Sequence, residues 1–272
     1  MNNYICETCG VQFAETAVSP THCPICEDER QYVSWEGQQW TMFDALRAKH
    51  ANKVTSVEPN LTGIGIEPSF AIGQRALLVQ TAQGNVLWDC VPLLTEAGIT
   101  AVNALGGIAA IAISHPHFYS SMVEWSHAFD APIYLHAADR QWVMRPDAAI
   151  EFWEGETYSL MDGVTLIRGG GHYDGSTMLH WAAGANGLGA LMAGDTMQVA
   201  ADRRFVSFMY SYPNMIPLAA DKVKQIVAAV EPFKFDRVYG AWWNLVLDGG
   251  GKTAVSRSAA RYIQAMQSGV ET

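Results

Sequence analysis

Two Cys-x-x-Cys pairs carry the clearest chemistry in the chain: Cys6-Glu7-Thr8-Cys9-Gly10 and Cys23-Pro24-Ile25-Cys26, with thirteen residues between them. Each pair turns two thiolates toward one point, and four thiolates satisfy the tetrahedral preference of zinc at Zn–S distances of about 2.3 Å. The same set accepts iron. A closed four-thiolate zinc site leaves no open position for substrate, so its expected role is structural, with electron transfer through iron as the alternative. Cys90 stands alone at the end of an apolar stretch and reads as a small buried hydrophobe.

A second constellation combines imidazoles and a carboxylate. Ser114-His115-Pro116-His117 follows the apolar run Ile108 to Ile113, and His172 sits between Gly169-Gly170-Gly171 and Asp174-Gly175-Ser176. Asp195 follows the apolar stretch ending in Ala193-Gly194. Loops at strand ends are where an α/β sheet presents its chemistry. Three neutral imidazoles on zinc with a water would lower the pKa of that water toward about 7 and make a nucleophile at neutral pH. Asp195 is then a fourth ligand or the group that orients the water. Two imidazoles and one carboxylate around iron would instead leave positions open for dioxygen. His127 and His180 read as ordinary core or surface residues, His136 ends a strand, the four thiolates make His22 unnecessary as a ligand, and His50 has no context.

The elements that must position these groups follow from pattern. Ala76 to Thr81 and Asn85 to Cys90 read as two strands of a hairpin around Gln83-Gly84. A helix fits Leu93 to Leu105, stopped by Gly106-Gly107, and Ile108 to Ile113 reads as a buried strand. Helix Ser120 to Phe129, strand Pro132 to His136 and a helix near Ala137 to Met144 continue the alternation. Strands fit Val164 to Arg168, Thr177 to Ala182, Leu188 to Ala193 and, as the last, Phe235 to Tyr239. Helices fit Ala219 to Val230 and Thr253 to Gln267. Clustering of four cysteines sets residues 1–35 apart as a small module, residues 36–60 read as a connector with one short helix over Trp40 to Arg47, and residues 61–272 form an α/β domain.

With 49% hydrophobic and 16% charged residues the 272-residue chain has the composition of a compact enzyme-like globule. A formal charge of −10 leaves no basic stripe for nucleic acid and disfavours acidic membranes. No secretory signal and no membrane span are read, so the expected compartment is the cytoplasm, where close cysteines serve as metal ligands. The expected partner is a small-molecule substrate or ligand, with homo-oligomer formation left open. Trp242 and Trp243 with Phe118, Tyr119, Tyr173, Tyr210 and Tyr212 either wall an apolar pocket or fill core space. The apolar segment Phe205 to Pro217 is expected to cover a cleft or make a dimer contact.

Cys-x-x-Cys-Gly followed by Cys-Pro-x-Cys resembles the knuckles of rubredoxin-like and zinc-ribbon domains. From about residue 60 to 265 the chain resembles the metallo-β-lactamase superfamily, an αββα sandwich with metal held in the cleft between strand ends. His115 and His117 match the start of that family's His-x-His-x-Asp-His motif, His172 matches the later Gly-His-x-x-Gly histidine, Asp195 matches the bridging carboxylate, and Asp89 falls where the family often has a structural Asp. Tyr119 and Ser120 stand at the Asp-His positions, and Tyr239-Gly240-Ala241-Trp242 stands where the last His belongs. The resemblance therefore implies a mononuclear site of His115, His117, His172 and Asp195, filled by zinc or iron. The function it implies is hydrolysis of an unnamed substrate, with a non-catalytic binding protein or an iron thiol oxygenase as alternatives.

Overall fold

The computed structural model describes residues 1–267, and the chain divides into two compact units, Met1–Trp153 and Glu154 onward. In the first unit, β1 (Ile5–Cys6) and β2 (Trp40–Thr41) pair antiparallel, and a short helix, Pro24–Glu27, has Cys23 as its N-cap and contains Cys26. Cys6 lies opposite Trp40 in this ladder, and the Trp40 ring meets Phe13 edge to face at 4.8 Å. The expected helix over Trp40 to Arg47 thus begins as strand, Trp40–Thr41, and only Phe43–Arg47 is helical. Pairing with the knuckle overrides local helix propensity there.

Seven strands follow in sequential order across one sheet: β3 (Ala51–Glu58), β4 (Leu61–Glu67), β5 (Ala76–Thr81), β6 (Gly84–Trp88), β7 (Ala110–Ala112), β8 (Ile133–His136) and β9 (Ile150–Trp153). β3 to β6 are antiparallel and β6 to β9 parallel. Residues 51–58, inside the stretch read as a connector, are the edge strand of this sheet. Their side chains are mostly exposed or half-buried, so hydrophobic alternation is faint, and the strand is fixed by pairing with the glycine-rich β4. β9 too is absent from the sequence reading.

The crossover to β7 is a helix, Glu96–Ala104, whose N-cap Thr95 accepts from the Gly98 amide at 3.1 Å. Asn52 of the edge strand accepts from the Thr95 amide at 2.8 Å, tying that cap to the sheet. The helix begins three residues later than read, because Leu93 and Leu94 are buried outside regular secondary structure instead. A second crossover, Met122–Phe129, ends at Asp130 in left-handed backbone (φ 50°), and the segment 137–142 is a 3-10 helix.

The second unit is built on β10 (Thr157–Met161), β11 (Val164–Arg168), β12 (Thr177–Trp181), β13 (Ala190–Met192), β18 (Arg237–Tyr239) and β19 (Val246–Asp248), in that order across the sheet. Only the β13–β18 pair in it is parallel. Two small hairpins lie between β13 and β18: β14 (Gln198–Val199) with β15 (Val206–Ser207), and β16 (Met209–Ser211) with β17 (Ile216–Pro217). Helices Ala220–Val230 and Gly251–Gln267 bury Val223, Ile226, Val255 and Ala259 in one core with Ile167, Met178, Leu191 and Val238. Strand β13 starts two residues later than read because Gly189 is left-handed (φ +88°), and a Cβ there would lie 2.1 Å from the Lys234 carbonyl oxygen. The strand over residues 237–239 is not the last: β19 pairs antiparallel beyond it.

Candidate metal centres

The four cysteines come together in the first unit, all buried. Sγ of Cys6 lies 3.6 Å from Sγ of Cys26, and Sγ of Cys9 lies 3.8 Å from Sγ of Cys23. A tetrahedron of sulfurs about 2.3 Å from a central zinc has edges of about 3.8 Å, so the donor set fits one such ion. The backbone explains the convergence. The Gly10 amide donates to the Cys6 carbonyl at 2.8 Å and the Cys26 amide to the Cys23 carbonyl at 2.9 Å, closing both knuckles. Gly10 is left-handed (φ +81°), and a Cβ there would lie 2.5 Å from Cγ of Pro92. Thiol donation from Cys23, Cys26 and Cys9 holds the Cys6 thiol far below its ordinary range, while burial raises the pKa of Cys9 and the Cys23 contact raises that of Cys26. A divalent cation would reverse that penalty by stabilising all four thiolates. Nε2 of Gln38 donates to Sγ of Cys6 at 3.1 Å, a second-sphere contact that sequence gave no sign of.

His115 and His117 lie on the same unit, in the turn that leaves β7. Pro116–Phe118 is a 3-10 turn in which the Phe118 amide donates to the His115 carbonyl at 3.0 Å. The Ser114 hydroxyl bonds Nδ1 of His115 at 2.9 Å, and the Ser114 amide donates to Oδ1 of Asp89 at 2.8 Å. Asp89 is buried in left-handed backbone (φ 60°), so it anchors the loop from below, in keeping with a structural role. Tyr119 and Ser120 are buried, and the Ser120 hydroxyl accepts from Gln74 at 2.9 Å and donates to the Cys90 carbonyl at 3.3 Å. Ser120 is thereby committed to the scaffold.

His172 and Asp195 belong to the second unit and are buried as well. Gly170 and Gly171 are left-handed (φ 64° and 81°), and a Cβ on Gly171 would lie 2.9 Å from Leu218. Nδ1 of His172 meets the Tyr210 carbonyl at 2.8 Å, which makes Nδ1 the donor and, in the neutral ring, puts the lone pair on Nε2. Asp195 follows β13 in a tight turn, its amide donating to the Ala193 carbonyl at 2.9 Å. The Tyr212 hydroxyl donates to the carbonyls of Asp195 (3.3 Å) and Ser207 (3.2 Å), and burial raises its pKa, so it stays protonated. Each of His115, His117, His172 and Asp195 offers one ligand atom, and these atoms lie within 4.8 Å of one another, a group that could hold a metal ion.

The remaining candidates have ordinary partners. His136 stacks edge to face on Trp153 at 4.5 Å and its Nδ1 accepts from the Ala138 amide at 3.2 Å, capping the following turn. His180 bonds the Lys234 carbonyl at 2.8 Å, and burial lowers its pKa. His127 pairs with Asp147 and His22 with Glu27 at the surface, and His50 bonds the Pro68 carbonyl. Cys90 is fully buried and burial pushes its thiol up. In the 205–217 segment Phe208 is buried whereas Met215 is 80% exposed, so it is part core and part surface. Among the described residues no helix is long and apolar enough to cross a membrane.

No protein-family model matches the chain. The uncharacterized protein YmaE of Bacillus subtilis (strain 168) is 51% identical over 270 residues, covering 98% of both chains. Solved structures share the fold at low identity. The metallo-β-lactamase SMB-1, in a complex with mercaptoacetic acid, has a TM-score of 0.54 at 18% identity and covers 80% of this chain and 97% of its own. The metallo-β-lactamase FIM-1 from Pseudomonas aeruginosa, in its mono-zinc form, has a TM-score of 0.58 at 12% identity over 79% of this chain and 96% of its own. The architecture is thus the α/β metallo-β-lactamase fold, with a four-cysteine module near the N-terminus.

Proposed function

We propose, from the premise that this chain belongs to the family of B. subtilis YmaE and carries the metallo-β-lactamase fold, that it is a metal-dependent hydrolase working with one ion. The observation that carries this reading is the cluster of three buried imidazoles and one buried carboxylate with ligand atoms within 4.8 Å. His115, His117, His172 and Asp195 are the proposed ligands, and zinc the proposed metal here and at the four cysteines. The donor types fit zinc, which takes imidazole nitrogen, carboxylate oxygen and thiolate sulfur.

Bound zinc supplies a Lewis acid and acidifies a coordinated water toward neutral pH. The chain's residues supply the rest. Ser114 and the Tyr210 carbonyl hold Nδ1 of His115 and His172, so each ring presents Nε2 without rotating. Asp195 would serve as the fourth ligand or as the group that orients the water, and its buried setting would strengthen either interaction. Ser120, at a position where the superfamily places a ligand of a second ion, bonds Gln74 and Cys90 instead, which supports a mononuclear site.

The proposed substrate is a small molecule and the proposed setting the cytoplasm, where closely spaced cysteines serve as metal ligands. Zinc-dependent turnover of model esters and thioesters, lost in His115→Ala, is the expected result. No turnover by metal-loaded protein would leave a binding protein, and oxygen uptake with a thiol substrate would establish the iron oxygenase reading instead.

A further inference from the structure

The four-cysteine module does more than fold beside the sheet, because its backbone runs from the first knuckle directly onto the loop that carries His115 and His117. Val11 and Gln12 follow Cys9-Gly10 and are laced to the knuckle: the Cys6 amide donates to the Val11 carbonyl at 3.0 Å, and Ile5 bridges Gln12. The backbone amide of the buried Gln12 then donates to the Ser120 carbonyl at 3.0 Å. Ser120 lies three residues past His117 and is held in left-handed backbone at φ 47°, a conformation a serine keeps only when its surroundings impose it.

The grip extends beyond one bond. Nε2 of Gln12 donates to Oε1 of Glu124 at 3.2 Å, and Nη1 of Arg145 bonds both that carboxylate at 2.6 Å and Oε1 of Gln12. The Ala14 amide donates to the Met144 carbonyl at 3.0 Å. On the other flank, Gly10 abuts Pro92, whose carbonyl accepts from the Ser121 hydroxyl at 3.0 Å. Residues 10–14 therefore fix Ser120 and the start of the following helix, the C-terminal anchor of the two-histidine loop.

We infer that the four-cysteine module is a positioning element for the His115/His117 loop, with Gln12 and Arg145 as the positioning residues, so that filling the cysteine centre orders ligands of the second centre. Linkage makes the effect reciprocal: an ordered loop favours an occupied cysteine site. Its functional meaning rests on the hydrolase reading above, while the mechanical coupling does not.

Amide hydrogen exchange of the full chain, metal-loaded, tests it in two variants, Cys23→Ser/Cys26→Ser and Arg145→Ala. The amides of Phe118, Tyr119 and Met122 donate within the loop and report its opening. Their exchange is expected to rise about tenfold or more in each variant, the scale of losing a charge-assisted bond, with strand 177–181 unchanged. Cobalt-substituted Arg145→Ala is expected to keep its thiolate charge-transfer band, showing intact knuckles. Loop exchange within twofold of the parent in Arg145→Ala, or in a folded cysteine variant, overturns the inference. Should the cysteine variant unfold throughout, the Arg145→Ala result alone decides. A loop that loosens as expected in a protein without hydrolytic activity sinks the hydrolase reading and leaves the coupling standing.

Discussion

Gly10→Ala isolates the physical demand of the first knuckle. The backbone at Gly10 is left-handed, which for an L-residue costs roughly 1–2 kcal/mol. The added Cβ would also sit 2.5 Å from Cγ of the buried Pro92 and 3.2 Å from Cβ of the half-buried Ala71. Overpacking of that kind costs about 1–3 kcal/mol. The sum, roughly 2–5 kcal/mol, falls on the geometry that closes the Cys6–Cys9 pair, because the Gly10 amide bonds the Cys6 carbonyl. Zinc binding selects that closed geometry, so affinity at the cysteine centre should fall about 30- to 3,000-fold. Competition with a chromophoric chelator, on protein with the second site blocked by His115→Ala/His172→Ala, measures it. An affinity within threefold of the parent would refute the argument that left-handed backbone and close approach to Pro92 dictate glycine here.

Three further outcomes are expected. Gln38→Ala removes the amide donor to Cys6 and should weaken the cysteine centre about fivefold, as chelator competition would read. Ser114→Ala frees Nδ1 of His115 and should weaken metal binding at the imidazole site about tenfold or more while leaving the cysteine site alone, measured by titration of apo protein. Burial lowers the folded pKa of His180 below the unfolded value of about 6.5, so the unfolded chain binds the proton first. That part of stability is intact above about pH 7 and is lost as pH falls through about 6.5 toward the lower folded pKa; His180→Gln should flatten the urea midpoint's dependence on pH over that window.

How much was legible in the sequence depended on whether the signal was local. The two knuckles show themselves by spacing, and their sulfurs meet as that spacing demands. The short parallel strands β7 and β8 were legible because buried strands read as unbroken apolar runs. The edge strand 51–58 was not, since an exposed edge carries little hydrophobic pattern and is defined by its partner. β19 was hidden in a stretch flanked by Asn244 and Gly249-Gly250, where turn residues outweigh three strand residues. His115, His117, His172 and Asp195 could be picked out by residue type at strand ends. Their supports could not: the group facing His172 is a backbone carbonyl, which any residue at 210 would supply. Ser120 likewise reads as a lost ligand in sequence, whereas in the structure it is a junction between Gln74, Cys90 and Gln12.

Metal stoichiometry tests the central claim most directly. Elemental analysis of the full chain reconstituted with zinc should give two equivalents, and the His115→Ala/His172→Ala variant should keep one, with the cysteine centre intact. One equivalent in both proteins, lost only when the cysteines are replaced, would contradict the account: the imidazole cluster would then hold no ion, and the hydrolase reading would fall with it.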